Sequence, residues 1–257
     1  MSNQFININD VNNNINNNVS NNNVSNNNTN NNNNLNYYDE LLIHSKNNPS
    51  DISQHLPVMF KKIKFNRFID NIKLIVELGV CSGQSTKVFD YVNRTSNSNL
   101  ISIDIEDCKY ENIYNGRFIK CDDIEFASKF VDYCNNNNLP SKIDVLFIDT
   151  SHLYEHTKQE IKNWFPFLND NAFIIFHDTN MPGVYKIDNS YYQTWDNNRG
   201  VIKPIQEYFN MYFFEERPFH MYNLYKDNYF WNIEHYPESN GMTYITKSNK
   251  FYINNIE

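Results

Sequence analysis

Two short stretches carry side chains that could do chemistry together. FIDTSHLYEH (Phe147 to His156) places Asp149 at the end of an apolar run and His152 just beyond it; IIFHDTN (Ile174 to Asn180) ends the next run on His177 and Asp178. If both runs are neighbouring parallel strands, about 4.8 Å apart, these groups converge on one point. Two carboxylates with an imidazole and a hydroxyl or amide suit an oxygen-seeking divalent cation. Such a cation acts as a Lewis acid that holds a hydroxyl and lowers its pKa. Asp149, His177 and Asp178 are therefore candidate ligands. His152, whose ring titrates near neutrality, and Asp149 are the candidates for proton transfer. Each residue also has an ordinary reading: Asp178 as a turn cap, His177 as a hydrogen-bonded buried histidine, His152 as a helix cap. The matched pair of strand-end acids favours a site.

A second constellation lies upstream. In IVELGVCSGQST (Ile75 to Thr86) an apolar run ends in an acid and two spaced glycines, two of the six in the 257-residue chain. The pattern predicts a buried strand, Lys73 to Leu78, a tight loop through Gly79 and Gly83, and a helix from Gln84. Glycine permits positive φ and close approach of a ligand. The spacing is E-x-G-x-x-x-G, not the G-x-G-x-x-G of dinucleotide enzymes. The loop can cradle an amino-acid and ribose moiety, with Glu77 beneath it as an acceptor. Asp104 closes the next strand, 27 residues after Glu77, where a doubly wound sheet presents an acid to a ribose.

The elements that position these groups follow from the hydrophobic pattern. A helix starts near Ser50, with Asp51 and Gln54 at capping-box spacing, and runs to about Phe65. Strands are predicted at Leu100–Asp104, Arg117–Lys120, Ile143–Asp149 and Ala172–His177. Ile143–Asp149 is apolar enough to be covered on both faces. Helices fall at Gln84–Val92, Ile124–Cys134, from Leu153 to a break at Pro166, and at Val201–Phe209. Phe230–Tyr236 and Met242–Lys247 read as an antiparallel pair. Five strand–helix units closed by a hairpin give an α/β fold: a doubly wound, mostly parallel, seven-stranded sheet of Rossmann-like type.

Composition bounds the remainder. Asn12 to Asn34 is almost entirely asparagine and has no periodic apolar face, which predicts a disordered low-complexity tail over residues 1–36 and one domain over 37–257. A net charge of −8 and pI near 5.4 argue against an extended basic surface for nucleic acid. No apolar run approaches the ~20 residues that span a bilayer. MSNQFININD lacks the charged and apolar regions expected of a signal peptide, and the four cysteines form no C-x-x-C pair. These features predict a cytoplasmic protein with free thiols, no nucleic-acid or membrane partner, and room for a homo-oligomer.

Taken in order, SDISQHLP, VELGVCSGQST, VLFIDTSHLYE, IIFHDTN, RGVIKPIQEYF and NGMTYI resemble the class I S-adenosylmethionine (SAM) dependent methyltransferases. The resemblance is to those related to the cephalosporin-hydroxylase-type and macrocin O-methyltransferases, and it spans roughly residues 50 to 247. The family's F-I-D-x-x-H-x-Y-E motif is matched by Phe147, Ile148, Asp149, His152, Tyr154 and Glu155. Its E-x-G-x-x-x-G-x-S-T motif is matched by Glu77, Gly79, Gly83, Ser85 and Thr86.

The resemblance implies SAM bound at Glu77, Gly79, Ser82, Gly83, Ser85 and Asp104, with Asp122 or Asp123 at the adenine, although Asp123 reads equally as a helix N-cap. It further implies a sugar or small-molecule hydroxyl as acceptor and magnesium held by Asp149 and the His177–Asp178 pair. There are departures: some relatives carry an acid where this chain has His177, and Asn169-Asp170-Asn171 replace a glycine pair before the fifth strand. The loop Thr179–Asn198 gives no acceptor signature. Two other readings stay open, a catalytically silent SAM-binding domain and a non-haem iron hydroxylase using His152, His177 and Asp178. A nucleic-acid methyltransferase is disfavoured by the charge and by Asp149-Thr150-Ser151-His152 where an N-P-P-Y-like motif would stand.

Overall fold

The apolar runs pair as one sheet. A computed structural model describes residues 24–66, 71–108, 116–181, 184–187, 190–193 and 199–251. The helices are α1 (Val24–Asn47), α2 (Asp51–Lys64), α3 (Gln84–Ser96), α4 (Asp123–Ala127), α5 (Phe130–Asn136), α6 (Tyr154–Trp164) and α7 (Ile202–Phe209). The strands are β1 (Leu74–Leu78), β2 (Asn99–Asp104), β3 (Arg117–Lys120), β4 (Ile143–Ile148), β5 (Leu168–His177), β6 (Val184–Ile187), β7 (Ser190–Gln193), β8 (Phe219–Lys226), β9 (Tyr229–Tyr236) and β10 (Met242–Ser248). The main sheet has the order β3-β2-β1-β4-β5-β10-β9-β8. β3 to β5 are parallel, and β10, β9 and β8 follow as antiparallel neighbours.

The fold is the doubly wound α/β sheet expected, with one strand more. β8 makes the main sheet eight-stranded instead of seven-stranded. Its burial alternates only weakly along the strand, as an edge strand's does, so the period-2 signal is faint. Every residue of β1, β4 and β10 is buried. These central strands are covered on both faces, whereas β3 at the other edge buries none of its four residues.

Local chemistry fixes the element ends. At α2 the capping box is Ser50 with Ser53, not Asp51 with Gln54. Ser50 Oγ accepts from Ser53 N at 3.1 Å, and Ser53 Oγ accepts from Ser50 N at 2.8 Å. The helix expected over Ile124–Cys134 is two short helices, α4 and α5, with Ser128 and Lys129 between them. Pro166 ends α6 as expected, in one 3-10 turn (Phe165–Phe167). Asn169-Asp170-Asn171 lie inside β5 and not in a turn. The β4–β5 register shifts there, and Asn169 Nδ2 donates to buried Asp144 Oδ1 at 2.7 Å.

Residues 1–23 of the asparagine-rich segment lie outside the described residues. Val24–Asn36, expected without regular structure, runs as the first turns of α1. Asparagine is a weak helix former but a permitted one, and elongation from an existing helix costs less than nucleation. The sheet and its covering helices belong to the unit Tyr38–Glu257. Among the described residues no helix is long and apolar enough to cross a membrane. All four cysteines are free.

Candidate active site

Parallel strands deliver their following loops to one edge of a sheet. Here that edge carries the loop after β1 and the residues just past β2, β3, β4 and β5. Gly79 (φ 83°) turns the chain out of β1; a Cβ there would lie 1.8 Å from the Asp149 carbonyl oxygen, so only glycine lets the loops after β1 and β4 touch. Gly83 (φ 71°) is the N-cap of α3. Between them Cys81 takes a left-handed φ of 47°.

The acid beneath this loop is consumed by the protein itself. Glu77 is fully buried; Ser85 donates to it at 2.7 Å, Ser102 at 2.5 Å, and Thr86 reaches both of its oxygens at 2.9 and 3.0 Å. Burial pushes Glu77 up to about 7, the three hydroxyls oppose this, and the charge of Asp149 adds to it. Glu77 therefore shapes the loop from below and lines neither cavity at this edge. Asp104 also braces it: Oδ2 accepts from Val80 N at 2.7 Å and Cys81 N at 3.0 Å, and Oδ1 from Glu106 N at 2.8 Å. Burial opposes ionisation of Asp104, yet these amide donors hold it below its ordinary value.

Two cavities open along the edge. One, about 420 Å³, is lined by Gly79, Ile103, Asp104, Ile105, Asp122, Asp123, Leu153 and His156, among others. The other, about 520 Å³, is lined by Ser82, Ser85, His152, His177, Asp178 and the Asn48–Ile52 stretch that leads into α2. Cys81, Asp149 and Thr150 line both. Both volumes fall in the range usual for small-ligand sites.

The four expected residues meet on the wall of the larger cavity, and Asp149 among them also lines the smaller one. His152 Nε2 lies 2.7 Å from Asp178 Oδ2 and 3.5 Å from Asp149 Oδ1; His177 Nδ1 lies 3.2 Å from Asp149 Oδ2 and 3.4 Å from Asp178 Oδ2. Ligand atoms of Asp149, His152 and Asp178 all fall within 4.8 Å of one another. Burial disfavours charge on each imidazole, but the two carboxylates outweigh it, raising His177 well above its ordinary value and His152 up to about 10. The imidazoles in turn hold both aspartates below the usual carboxylate range against the cost of burial. His177 is 2 % exposed, and neither ring nitrogen makes a hydrogen bond; Asp178 Oδ1 is also buried without one. His177 is thus not the satisfied core histidine of its ordinary reading. His152 caps no helix either, since Leu153 is the N-cap of α6 and no side chain caps there.

Asp122 and Asp123 exchange roles. Asp122, not Asp123, is the N-cap of α4, its Oδ1 accepting from Glu125 N at 2.9 Å. Asp123 is buried and pairs with His156, Nε2 to Oδ1 2.9 Å. Sequence reasoning missed His156 and Glu160. Their signal was a four-residue spacing beside the apolar stripe of α6, which puts both on one side of the helix.

Residues 76–179 match the model of a family described as a methyltransferase domain. The likeness to that family is confined to this stretch. The stretch contains the glycine loop, the acids after β2 and β3, and Asp149, His152, His177 and Asp178. No curated protein matches the chain. Among solved structures the chain is similar to the MycE methyltransferase of the mycinamycin biosynthetic pathway, in complex with Mg, SAH and mycinamycin VI, at 14 % identity and TM-score 0.45, covering 75 % of this chain and 49 % of that one. The chain thus spans about half the length of that relative. It is also similar to a Staphylococcus aureus protein designated a caffeoyl-CoA O-methyltransferase (17 %, TM-score 0.48, 82 % and 99 % covered). A third is a Plasmodium falciparum protein designated a ribosomal RNA methyltransferase (16 %, TM-score 0.40, 76 % and 96 % covered). Their names give three unlike acceptors, so no acceptor for this chain follows from them.

Proposed function

We propose that the chain transfers a methyl group from SAM to a hydroxyl oxygen of a small molecule or glycan, assisted by a divalent cation. The observation that carries this reading is the meeting of Asp149, His152, His177 and Asp178 on the wall of the larger cavity, with Asp149 shared by the smaller one. The smaller cavity, with Asp104 and Asp122 on its wall, suits the adenosine, and its boundary with the larger one suits the methyl group. The glycine loop and the matched methyltransferase segment favour methyl transfer over the iron-oxygenase reading of His152, His177 and Asp178.

The donor set fits a cation. Asp149 and Asp178 offer carboxylate oxygens and His177 a buried ring nitrogen with no hydrogen-bond partner. Their separations of 3.2 and 3.4 Å compare with roughly 3 Å between adjacent ligands around a small divalent ion whose bonds are about 2.0–2.1 Å long. Such a cation would supply Lewis-acid activation of the acceptor hydroxyl.

The chain's own residues do the remainder. As the acceptor oxygen bonds to the methyl carbon, the carbon–sulfur bond breaks, its electron pair stays on sulfur, and the hydroxyl proton must leave. His152 is about a quarter exposed, against 2 % for His177, so it can exchange protons with the acceptor and with water. It serves as base only after losing the proton that Asp149 and Asp178 now stabilise on it. Asp149, held ionised, is the second group able to take the proton.

Calorimetry with S-adenosylhomocysteine, followed by methyl transfer from labelled SAM to a panel of hydroxylated acceptors, tests the reading. Binding of the nucleoside with cation-dependent labelling of a hydroxyl is expected. Absence of SAM and S-adenosylhomocysteine binding would overturn the enzyme assignment.

A further inference from the structure

A second set of ligating groups lies beside the smaller cavity, which two of them, Asp123 and His156, line, and it takes no part in the chemistry above. His156 Nε2 lies 2.9 Å from Asp123 Oδ1 and 3.6 Å from Glu160 Oε1, and the three ligand atoms fall within 4.8 Å of one another. Asp123 follows β3 and starts α4, whereas His156 and Glu160 lie one turn apart on α6. Thr150 Oγ1 donates to Glu160 Oε1 at 2.5 Å and fixes that carboxylate from the loop after β4.

Hydrogen bonding leaves this cluster unfinished. The Glu160 side chain is 0 % exposed and that of Asp123 7 %, yet Glu160 Oε2 and Asp123 Oδ2 are both buried without a donor. A buried carboxylate oxygen with no partner is costly, and most such atoms in folded proteins have a proton donor, a water or an ion. One imidazole and the Thr150 hydroxyl leave two of the four carboxylate oxygens unserved. Three ligands from two elements with one side open to a cavity form the pattern of a four-coordinate site, and ligands about 2.0–2.1 Å from a tetrahedral ion lie about 3.3 Å apart. The observed 2.9 and 3.6 Å bracket that value.

We propose that Asp123, His156 and Glu160 form a second divalent-cation site, of the zinc type, which ties α4 to α6 at the wall of the smaller cavity. One imidazole with two carboxylates suits zinc or a similar borderline ion better than magnesium, which favours oxygen-rich shells. His156 also lines the smaller cavity, so an ion here sits beside whatever binds in it. The site is independent of the cation at Asp149 and Asp178, and it stands or falls whether or not the chain transfers methyl groups.

The test uses the full chain freed of metal by EDTA dialysis. Crystals soaked in zinc chloride are measured on both sides of the zinc absorption edge. An anomalous peak bounded by Asp123, His156 and Glu160 is expected, and it should vanish in Asp123→Asn. In solution, competition against a chromogenic chelator should show one zinc equivalent that Asp178→Asn retains and Asp123→Asn binds at least tenfold more weakly. Should Asp123→Asn fail to fold, Glu160→Gln, equally close in shape, takes its place. No peak between these three side chains, or zinc affinity unchanged in the folded variant, overturns the proposal, even if SAM binding and methyl transfer are intact.

Discussion

His152 and Asp178 stand in the loops after neighbouring parallel strands, both in left-handed backbone (φ 57° and 56°), and bring Nε2 and Oδ2 to 2.7 Å. Non-glycine residues pay about 1–2 kcal/mol for that conformation. Two such residues at one contact mean that the surrounding structure holds the contact against local preference. Thr179 N donates to the Gly241 carbonyl at 3.3 Å and Asn180 N to the Asn240 carbonyl at 2.6 Å, which fixes the chain after Asp178 against the turn before β10. The antiparallel closing strands therefore support the site as well as completing the sheet.

The contact between the first and fourth strand ends gives a sharp stability prediction. Gly79→Ala combines a φ of 83° with a Cβ 1.8 Å from the Asp149 carbonyl oxygen. It should destabilise the fold by at least about 3 kcal/mol. Gly83→Ala, strained by its φ of 71°, should lose about 1–2 kcal/mol. Urea unfolding of the three proteins measures both; equal losses would mean that the approach to Asp149 is not what demands glycine.

Asp104 makes a prediction about SAM. Its oxygens brace Val80, Cys81 and Glu106 while it lines the smaller cavity. Asp104→Ala should weaken SAM binding by about 1.5–3 kcal/mol, the range for hydrogen bonds to a charged group. Asp104→Asn keeps the acceptor oxygen and should lose less. Calorimetry giving the same affinity for all three proteins would remove Asp104 from the cofactor site.

Much of this arrangement was legible in the sequence because it rests on short-range patterns. β1, β3, β4 and the ends of β2 and β5 follow from runs that stop at Leu78, Lys120, Asp149, Asp104 and His177, and a strand end is where a doubly wound sheet binds ligands. What was not legible depends on contacts between elements. β8 exists only by pairing with β9, and the two-stranded sheet of β6 and β7 lies within a loop that carried no signature. Asp123 meets His156 across 33 residues, a pairing no local window contains. Glu77 was read as an acceptor under the loop, which it is, but its donors are Ser85, Thr86 and Ser102.

That burial of Glu77 makes stability depend on pH. Its folded pKa is raised from 4.5 to about 7, so the folded state binds more protons between those values. The contribution is fully present below 4.5 and is lost as pH rises through 7, a change of about 3 kcal/mol at 1.36 kcal/mol per unit. Glu77→Gln cannot ionise. Relative to wild type, it should gain about that much unfolding free energy between pH 4.5 and 8. Denaturant titrations at several pH values check it; a constant difference would show that Glu77 does not take up a proton on folding.

The last prediction separates the roles of Asp178 and His152. Asp178 is buried, touches both imidazoles and keeps one oxygen without a partner, as expected of a cation ligand. His152 touches the same two carboxylates but is partly exposed on the larger cavity, as expected of a group that passes protons. EDTA should abolish methyl transfer and leave SAM affinity nearly unchanged, and Asp178→Asn should reproduce that pattern. His152→Ala should lower turnover about 10²–10⁴-fold, the usual worth of a positioned acid or base. Its affinity for manganese, followed by electron paramagnetic resonance, should change less than tenfold. The rise of wild-type turnover with pH, set by loss of the His152 proton, should be missing in the variant. If His152→Ala instead loses manganese as severely as Asp178→Asn, His152 is a ligand and the proton falls to Asp149. Full methyl transfer in EDTA would remove the cation from the mechanism and leave His152 or Asp149 acting directly on the acceptor.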